Sequence, residues 1–490
     1  MSSTPSRATR WVLAPSDDSS VRVRRPVSRL RADHRPPRRR QRGLALVLAL
    51  TAVAILTVVL SDMHESTAAA YSLATTQRDR LKAEYLARSG LNLTRLLIAN
   101  RQPITEVVSP IYALLSGGRS PGNLSVWTFA NEVLQPFCAY EQAEAVGLGA
   151  GIDLRGAEGL DDTGGTCDIL AFSENSRINV NKPLRSDNAA RNVAMQFYGL
   201  IGGYQQSSPY DPLFEQRDAD GLITGRQDMV SALIDWWDDD FTRTDFDPGA
   251  LTVTSSGAED DPYARFDDPY EIKNAPFDSL EELRMVRGVG DDFWATFVES
   301  DPLDPRSRAI TVYGSGRINP NEAAPQVLYA QTCAVIPQTT LCQNPEEAAK
   351  FVQLLLTVRS LAPVPWFLSA DEFIAFLRGG EGRGNQQLNL YNVLRTLLGE
   401  GHPLLFTPVD APDQEIGRLH EILVFDAQII YVEVTGRVGQ GCAAEDAGRC
   451  TRVKLQSVLN FHSGRGGWTP PPPNPGAMPR LGIFHHFRID

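Results

Sequence analysis

Between Asp235 and Glu271 the chain carries twelve carboxylates against two cations, Arg243 and Arg265. Carboxylates crowded to that degree repel one another, and a folded loop that holds them is penalised unless solvent or a multivalent cation screens the charge. Ca²⁺ suits such a set because it takes roughly six to eight oxygen ligands in flexible geometry. A solvated acidic loop is the competing reading of any charge run. The interleaved aromatics Trp236, Trp237, Phe241, Tyr263, Phe266 and Tyr270 favour a packed and ordered loop, which tilts the balance toward a cation site.

Other stretches offer less. In "DADGLITGRQDM" Asp218, Asp220 and Gly221 imitate the opening of an EF-hand loop, but Met229 stands where the closing Glu belongs and the glycine falls too early. A turn before the next helix is the better reading. "SLEELRMVRGVGDDFW" has the outline of a helix-hairpin-helix that offers amides to DNA phosphate, yet Asp291 and Asp292 follow its glycines and would repel phosphate. We read it as structural. No HExxH or CxxC is present, so the expectation is a protein that is not an enzyme.

The elements that position the acidic run are set by the distribution of charge and apolar residues. Residues 1–42 hold twelve Arg and three Asp, a balance of +9 in a chain of net charge −12, so the remainder carries −21. Directly behind this arm, Leu44–Leu60 is an apolar run of 17 residues, about 26 Å as a helix. Basic residues before an apolar span and an acidic body after it predict a single-pass protein with its N-terminus in the cytoplasm. A cleaved secretory signal fits less well, because no small-x-small site follows and Ser61–Ala70 runs on in helix-forming residues. A basic nucleic-acid-binding tail would have to hold the acidic body beside the same polyanion.

Six cysteines lie beyond the span in locally spaced pairs: Cys138 and Cys167, Cys333 and Cys342, Cys442 and Cys450. This suits an oxidising compartment, although six cysteines allow about fifteen connectivities and proximity alone suggests the sequential one.

Proline is absent from the apolar run to Pro103, and Leu86, Gly90, Leu93 and Leu97 recur at steps of a helix face, which predicts a nearly continuous helix of roughly 85 Å from Leu44 to about Asn100. "CDILAFSE" reads as a strand. Segments such as "DMVSALIDWWDD" and "EEAAKFVQLLLTVRSL" read as helices, with Ser279 and Glu282 forming a capping box. Alternation in "EILVFDAQIIYVEVTGRV" and "TRVKLQSVLNFHS" marks returning strands, with Cys442 to Cys450 as a hairpin tip between them. "GRGGWTPPPPNPGAMPR" reads as linker or tail. The fold class is therefore α+β: a long N-terminal helix packed on a small antiparallel sheet, interrupted by a large, mainly helical insertion.

Seven segments, "RQRGLALVLAL", "EYLARSGLNLTRLL", "SRINVNKP", "SALIDWWDDD", "GAEDDPY", "SLEELRMVRGVG" and "GRINPNEAAPQVL", occur in that order between residues 40 and 328, and together they carry a resemblance, covering residues 41–462, to the type II secretion minor pseudopilin K family, general secretion pathway protein K. The resemblance implies a division into a leader at 1–43, a transmembrane and assembly helix at 44–100, and the first part of a pilin-like domain at 101–183. A helical insertion at 184–405, returning strands at 406–463 and a tail at 464–490 complete it. It further implies cleavage by a prepilin peptidase after Gly43 and methylation of the new amine on Leu44. Leu48 occupies the fifth mature position, where most pilins have Glu. The 43-residue arm is longer than the leaders usual in the family. Ca²⁺ would be held around Asp238, Asp240, Glu259, Asp260 and Asp261.

The implied function is a non-enzymatic subunit at the tip of the secretion pseudopilus, anchored in the inner membrane with a periplasmic body and later drawn into the filament. Its partners would be the I-type and J-type minor pseudopilins and the major pseudopilin filament, with no nucleic acid. The rival reading is a membrane-anchored DNA-uptake protein, which predicts a basic face and salt-dependent binding.

Overall fold

This computed structural model describes residues 41–115, 124–138, 165–181, 187–215, 217, 223–259, 263–265, 268–361, 365–381, 389–439, 442, 450–461 and 481–490. The leader expected at 1–43 thus lies almost wholly outside the described residues. Helix α1 spans Gln41–Ala99 without a break, close to the predicted extent. The chain divides into two compact units, Met1–Leu73 and Ala74–Asp490.

In the first unit the described residues from Gly43 on are exposed, Leu44, Leu48 and Leu60 among them. Among the described residues this is the one helix long and apolar enough to cross a membrane. Its hydroxyls do not oppose that role, because Thr51 Oγ1 donates to the Leu48 carbonyl and Thr57 Oγ1 to that of Val53, which satisfies them inside the helix.

In the second unit α1 continues over a four-stranded antiparallel sheet. Its strands are β1 (Gly165–Ser173), β6 (Ile429–Val438), β7 (Thr451–Asn460) and β8 (Ile483–Ile489), in the order β1-β6-β7-β8. Period-two alternation puts Ile430, Val432, Val434 and Leu455 on one face, where they are fully buried together with Ala87, Leu91 and Ile98 of α1. Small residues let the backbones close up: a Cβ on Gly436 would sit 2.0 Å from the Ala83 carbonyl oxygen, and one on Gly90 would sit 2.8 Å from Val434. The helix stripe differs from expectation at its end, since Leu93 and Leu97 are only half-buried and Thr94 and Ile98 face the sheet.

Helix α2 (Arg101–Leu115) follows, and α3 (Ala130–Cys138) is tied to β1 by the Cys138–Cys167 disulfide. The remaining cysteines pair as Cys333–Cys342 and Cys442–Cys450. Residues 483–489, expected to fall in the tail, form β8 instead. Their alternating apolar side chains outweigh the Gly and Pro tract before them, and Leu455 pairs with Ile489 in register.

Strands β1 and β6 are neighbours, with Ser173 opposite Ile430, so the large insertion leaves and re-enters the sheet at one end. It is built twice over. "RINVN" begins the first half and "RINPN" the second, at Arg177 and Arg317. Ile178 of β2 (Ile178–Asn179) pairs in parallel with Ile310 of β5 (Ile310–Thr311), and Ile318 makes the matching parallel bridge to Leu423.

In the first half the Asn181 side chain clamps both backbone groups of Phe277, donating to its carbonyl at 2.7 Å and accepting from its amide at 2.8 Å. Asn321 does the same to Phe367, at 2.7 and 2.9 Å. Glu282 then accepts from the amide of Asp278, as Glu372 does from that of Leu368. The capping box expected at Ser279 and Glu282 does not form: Ser279 makes no side-chain cap bond, Glu282 takes the amide of Asp278 instead of that of Ser279, and the turn that follows is a 3-10 helix, Leu280–Met285. Each half carries two principal helices before its clamp: α4 (Asp187–Leu200) and α5 (Arg226–Trp237), then α6 (Pro325–Cys333) and α7 (Pro345–Leu361).

Replacing Gly436 by Ala should push α1 off the sheet and cost about 1–3 kcal/mol. Thermal unfolding of the full chain in detergent checks this, with a lowered Tm expected.

Candidate metal centre on an acidic hairpin

Helix α5 is buried from Met229 to Trp237, because both of its faces meet the core of the insertion. Trp236 lies among Tyr263, Tyr270 and Phe277, at centroid distances of 6.2–6.4 Å. Its end therefore cannot fray into solvent, and the carboxylates that follow emerge at a fixed place. The acidic loop is a hairpin, β3 (Thr242–Asp247) and β4 (Thr252–Ala258), with Leu251 at φ 57° in the turn. It is stitched back to α5 by Asp235 Oδ1, which accepts from the Thr244 amide at 2.7 Å, and by Ser231 Oγ, which accepts from that of Phe246.

Chain reversal brings Glu259, just past β4, to the C-terminus of α5. One carboxylate oxygen from each of Asp235, Asp238 and Glu259 lies within 4.8 Å of the others. Asp235 and Glu259 are 4% and 2% exposed, so water does little to screen them. Both oxygens of Glu259 and Oδ1 of Asp238 are buried without a hydrogen-bond partner.

Burial pushes all three groups up. Asp235 rises to about 6, Asp238 to about 7 with help from the charge of Asp235, and Glu259 to about 8 with help from Asp238 and Asp235. The C-terminal end of a helix also favours positive charge. Orphaned carboxylate oxygens with no His or Cys among them fit a hard, oxygen-seeking cation such as Ca²⁺ better than zinc.

Of the predicted ligands the structure brings together Asp238 and Glu259. Asp260 and Asp261 lie outside the described residues. Asp240 stands at the rim, where its Oδ1 accepts from the Thr242 amide at 2.7 Å and its carbonyl accepts from Asn274 Nδ2 at 3.0 Å. Asp235 replaces it in the inner set. The sequence signal for Asp235 was its place three residues before Asp238 on a helix, which puts both on one face. The EF-hand-like residues Asp218, Asp220 and Gly221 also lie outside the described residues. In the helix-hairpin-helix-like stretch Asp291 takes Arg284 at 2.6 Å, so that cation is already engaged.

A raised carboxylate pKa means that the folded state binds protons the unfolded state has released. Stability held below about pH 4 is then lost as pH climbs through the folded values of about 6 to 8. In chelator, Tm should therefore fall between pH 5 and pH 8, and Ca²⁺ should restore it. Glu259→Gln should flatten the pH profile and remove most of the Ca²⁺ response, as read by calorimetry.

Residues 176–297, which contain the whole cluster, match the first-domain family model described as type II secretion system (T2SS), protein K. No curated protein matches the sequence. Among solved structures, one from the GspK-GspI-GspJ complex of the enterotoxigenic Escherichia coli type 2 secretion system aligns with 67% of this chain and 80% of its own. Its identity is 14% and its TM-score is 0.34.

Proposed function

From the protein K domain at residues 176–297, we propose that this chain acts as a minor pseudopilin at the tip of the type II secretion pseudopilus. There it joins the I-type and J-type subunits, starts the filament and supports export of folded proteins across the outer membrane. The observation that carries the reading is where that domain sits: it is inserted between neighbouring strands β1 and β6 of a small sheet packed on the Ala83 to Ile98 stretch of α1. A bulky insertion suits the end of a filament, where no subunit has to pack above it. The fifth residue after Gly43 is Leu48, and a subunit with none above it has no terminal amine to neutralise. A carboxylate there would stand unpaired in lipid at a cost of several kcal/mol, roughly.

The basic arm before the apolar run supports an inner-membrane precursor with a cytoplasmic N-terminus, and three disulfides support a periplasmic body. Asp235, Asp238 and Glu259 would hold Ca²⁺. The ion would neutralise the hairpin and fix it on α5, a structural task. In this reading no residue of the chain performs catalysis.

Two measurements test this. N-terminal sequencing of the mature protein should start at methylated Leu44; an intact Met1 or a start beyond Ser61 would sink the proposal. Leu48→Glu should lower secretion of the system's exoproteins to well below that of the unaltered chain, and full secretion would remove the argument from the missing carboxylate.

A further inference from the structure

The two edges of the sheet are treated differently. At one end, β1 is covered: the Ile169 amide donates to Asn131 Oδ1 of α3 at 2.8 Å, and the Cys138–Cys167 disulfide holds α3 there. At the other end, β8 ends the strand order, and among the described residues no strand lies beyond it. Asp490 and Lys454 exchange both backbone hydrogen bonds, at 2.8 and 3.1 Å. By antiparallel alternation Arg488 and His486 also bond inward to β7, which leaves the amide and carbonyl groups of Phe487 and Ile489 on the outer edge.

The register skips a residue between His486, opposite Val458, and Phe484, opposite Leu459. This bulge turns Phe484 and Phe487 to the same face, the one that carries α1. Their rings meet edge-on at 5.4 Å, yet Phe484 remains 39% and Phe487 45% exposed. "IFHHFRI" contains no Pro and no Lys, the residues that commonly protect an open edge.

The edge is continuous with α1. Arg95 donates to the carbonyls of Leu481 and Gly482 and lies over the Phe484 ring at 4.6 Å. At about 100° per residue, Leu81, Tyr85 and Leu96 fall just beyond Arg95 around the helix, on the side away from the sheet. All three are exposed, at 56%, 62% and 48%. Aromatic and aliphatic side chains thus run from one helix flank onto an unpaired strand.

We infer that the outer edge of β8 docks an extended strand from a neighbouring pilin-like subunit, which adds antiparallel to β8 and packs apolar side chains on Phe484 and Phe487. A subunit whose own helix lies along Leu81, Tyr85 and Leu96 brings its sheet to this edge, and an open ladder of amides and carbonyls selects an extended backbone. The inference rests on the pseudopilin reading and adds to it a sheet-to-sheet contact beside the helix contact.

The test uses the full chain in detergent with the I-type and J-type pseudopilins of its own system. Phe487→Pro removes an outward amide while sparing the bonds to β7, and Ile489→Pro does the same one step along. Each should weaken association by about tenfold or more, and complex formation should protect the Phe487 and Ile489 amides from hydrogen exchange. Phe484→Asp, which leaves the backbone untouched, should weaken it as well. If a proline variant loses exchange protection in β7 as well, Phe484→Asp decides alone.

Unchanged affinity in the variants, with the unaltered chain binding normally, overturns the edge contact and leaves the pseudopilin reading standing. Failure of the unaltered chain to bind either partner overturns both. A self-association that Phe487→Pro abolishes would assign the edge to a second copy of this chain and also overturn the proposal.

Discussion

The insertion hangs on a buried ion pair at its neck. Glu174 and Arg177 are each 3% exposed, and their side chains meet at 3.1 Å. Arg177 also donates to the backbone carbonyls of Arg308 and Pro305, while Glu174 accepts from the Thr311 hydroxyl. The guanidinium covers the Phe172 ring at 4.1 Å, and that ring stacks on Tyr431 at 4.7 Å. One side chain therefore touches the end of β1 and the segment just before β5, and it reaches β6 through the Phe172–Tyr431 stack. Such a pair is costly to desolvate and is weak evidence for stability as such. Once formed, however, its loss would leave a buried charge unpaired, at about 3–5 kcal/mol. What it supplies is a fixed geometry between chain segments that enter and leave at one point.

A second tie acts beside it. Glu322, in the opening turn of the second half, accepts from the Ser125 hydroxyl and from Trp127 Nε1, so the short helical turn before α3 is bound to the insertion as well. Burial raises the Glu322 carboxyl, and these hydrogen bonds oppose the shift. With the first half gripped by Arg177 and the second by Glu322, both halves of the insertion are fastened to the rest of the second unit.

The doubled architecture explains where the acidic cluster came to lie. Between Asn clamp and clamped Phe the first half spans 96 residues and the second 46. Much of the difference falls after the second principal helix: 39 residues separate Trp237 from Phe277, and five separate Leu361 from Phe367. The second half closes its clamp without any hairpin, so the hairpin is an addition to a unit that does not need it for closure. Its far end can therefore bring a buried carboxylate without hydrogen-bond partners, Glu259, up to Asp235 and Asp238. The like charges gather at the seam, with Asp235 and Asp238 supplied by the end of α5 and Glu259 by the chain just past the hairpin.

How much of this was legible in the sequence depended on whether the signal was local. The apolar run, the strands at 429–438 and 451–460 and the acidic crowding are all local patterns, and each was read near its true place. The repeat was present in two quoted segments, "SRINVNKP" and "GRINPNEAAPQVL", yet four matched residues some 140 positions apart carry no weight until hydrogen bonds show the two asparagines doing one job. Asp235 was hidden by its role as the last polar residue of a buried helix, and β8 by the proline tract before it. Strand pairing is a property of two segments, and no property of 483–489 alone announces that β7 is waiting for it. The same non-locality gives the sheet its asymmetry: α3 reaches β1 because a disulfide and an asparagine bring it there, whereas among the described residues no strand lies beyond β8.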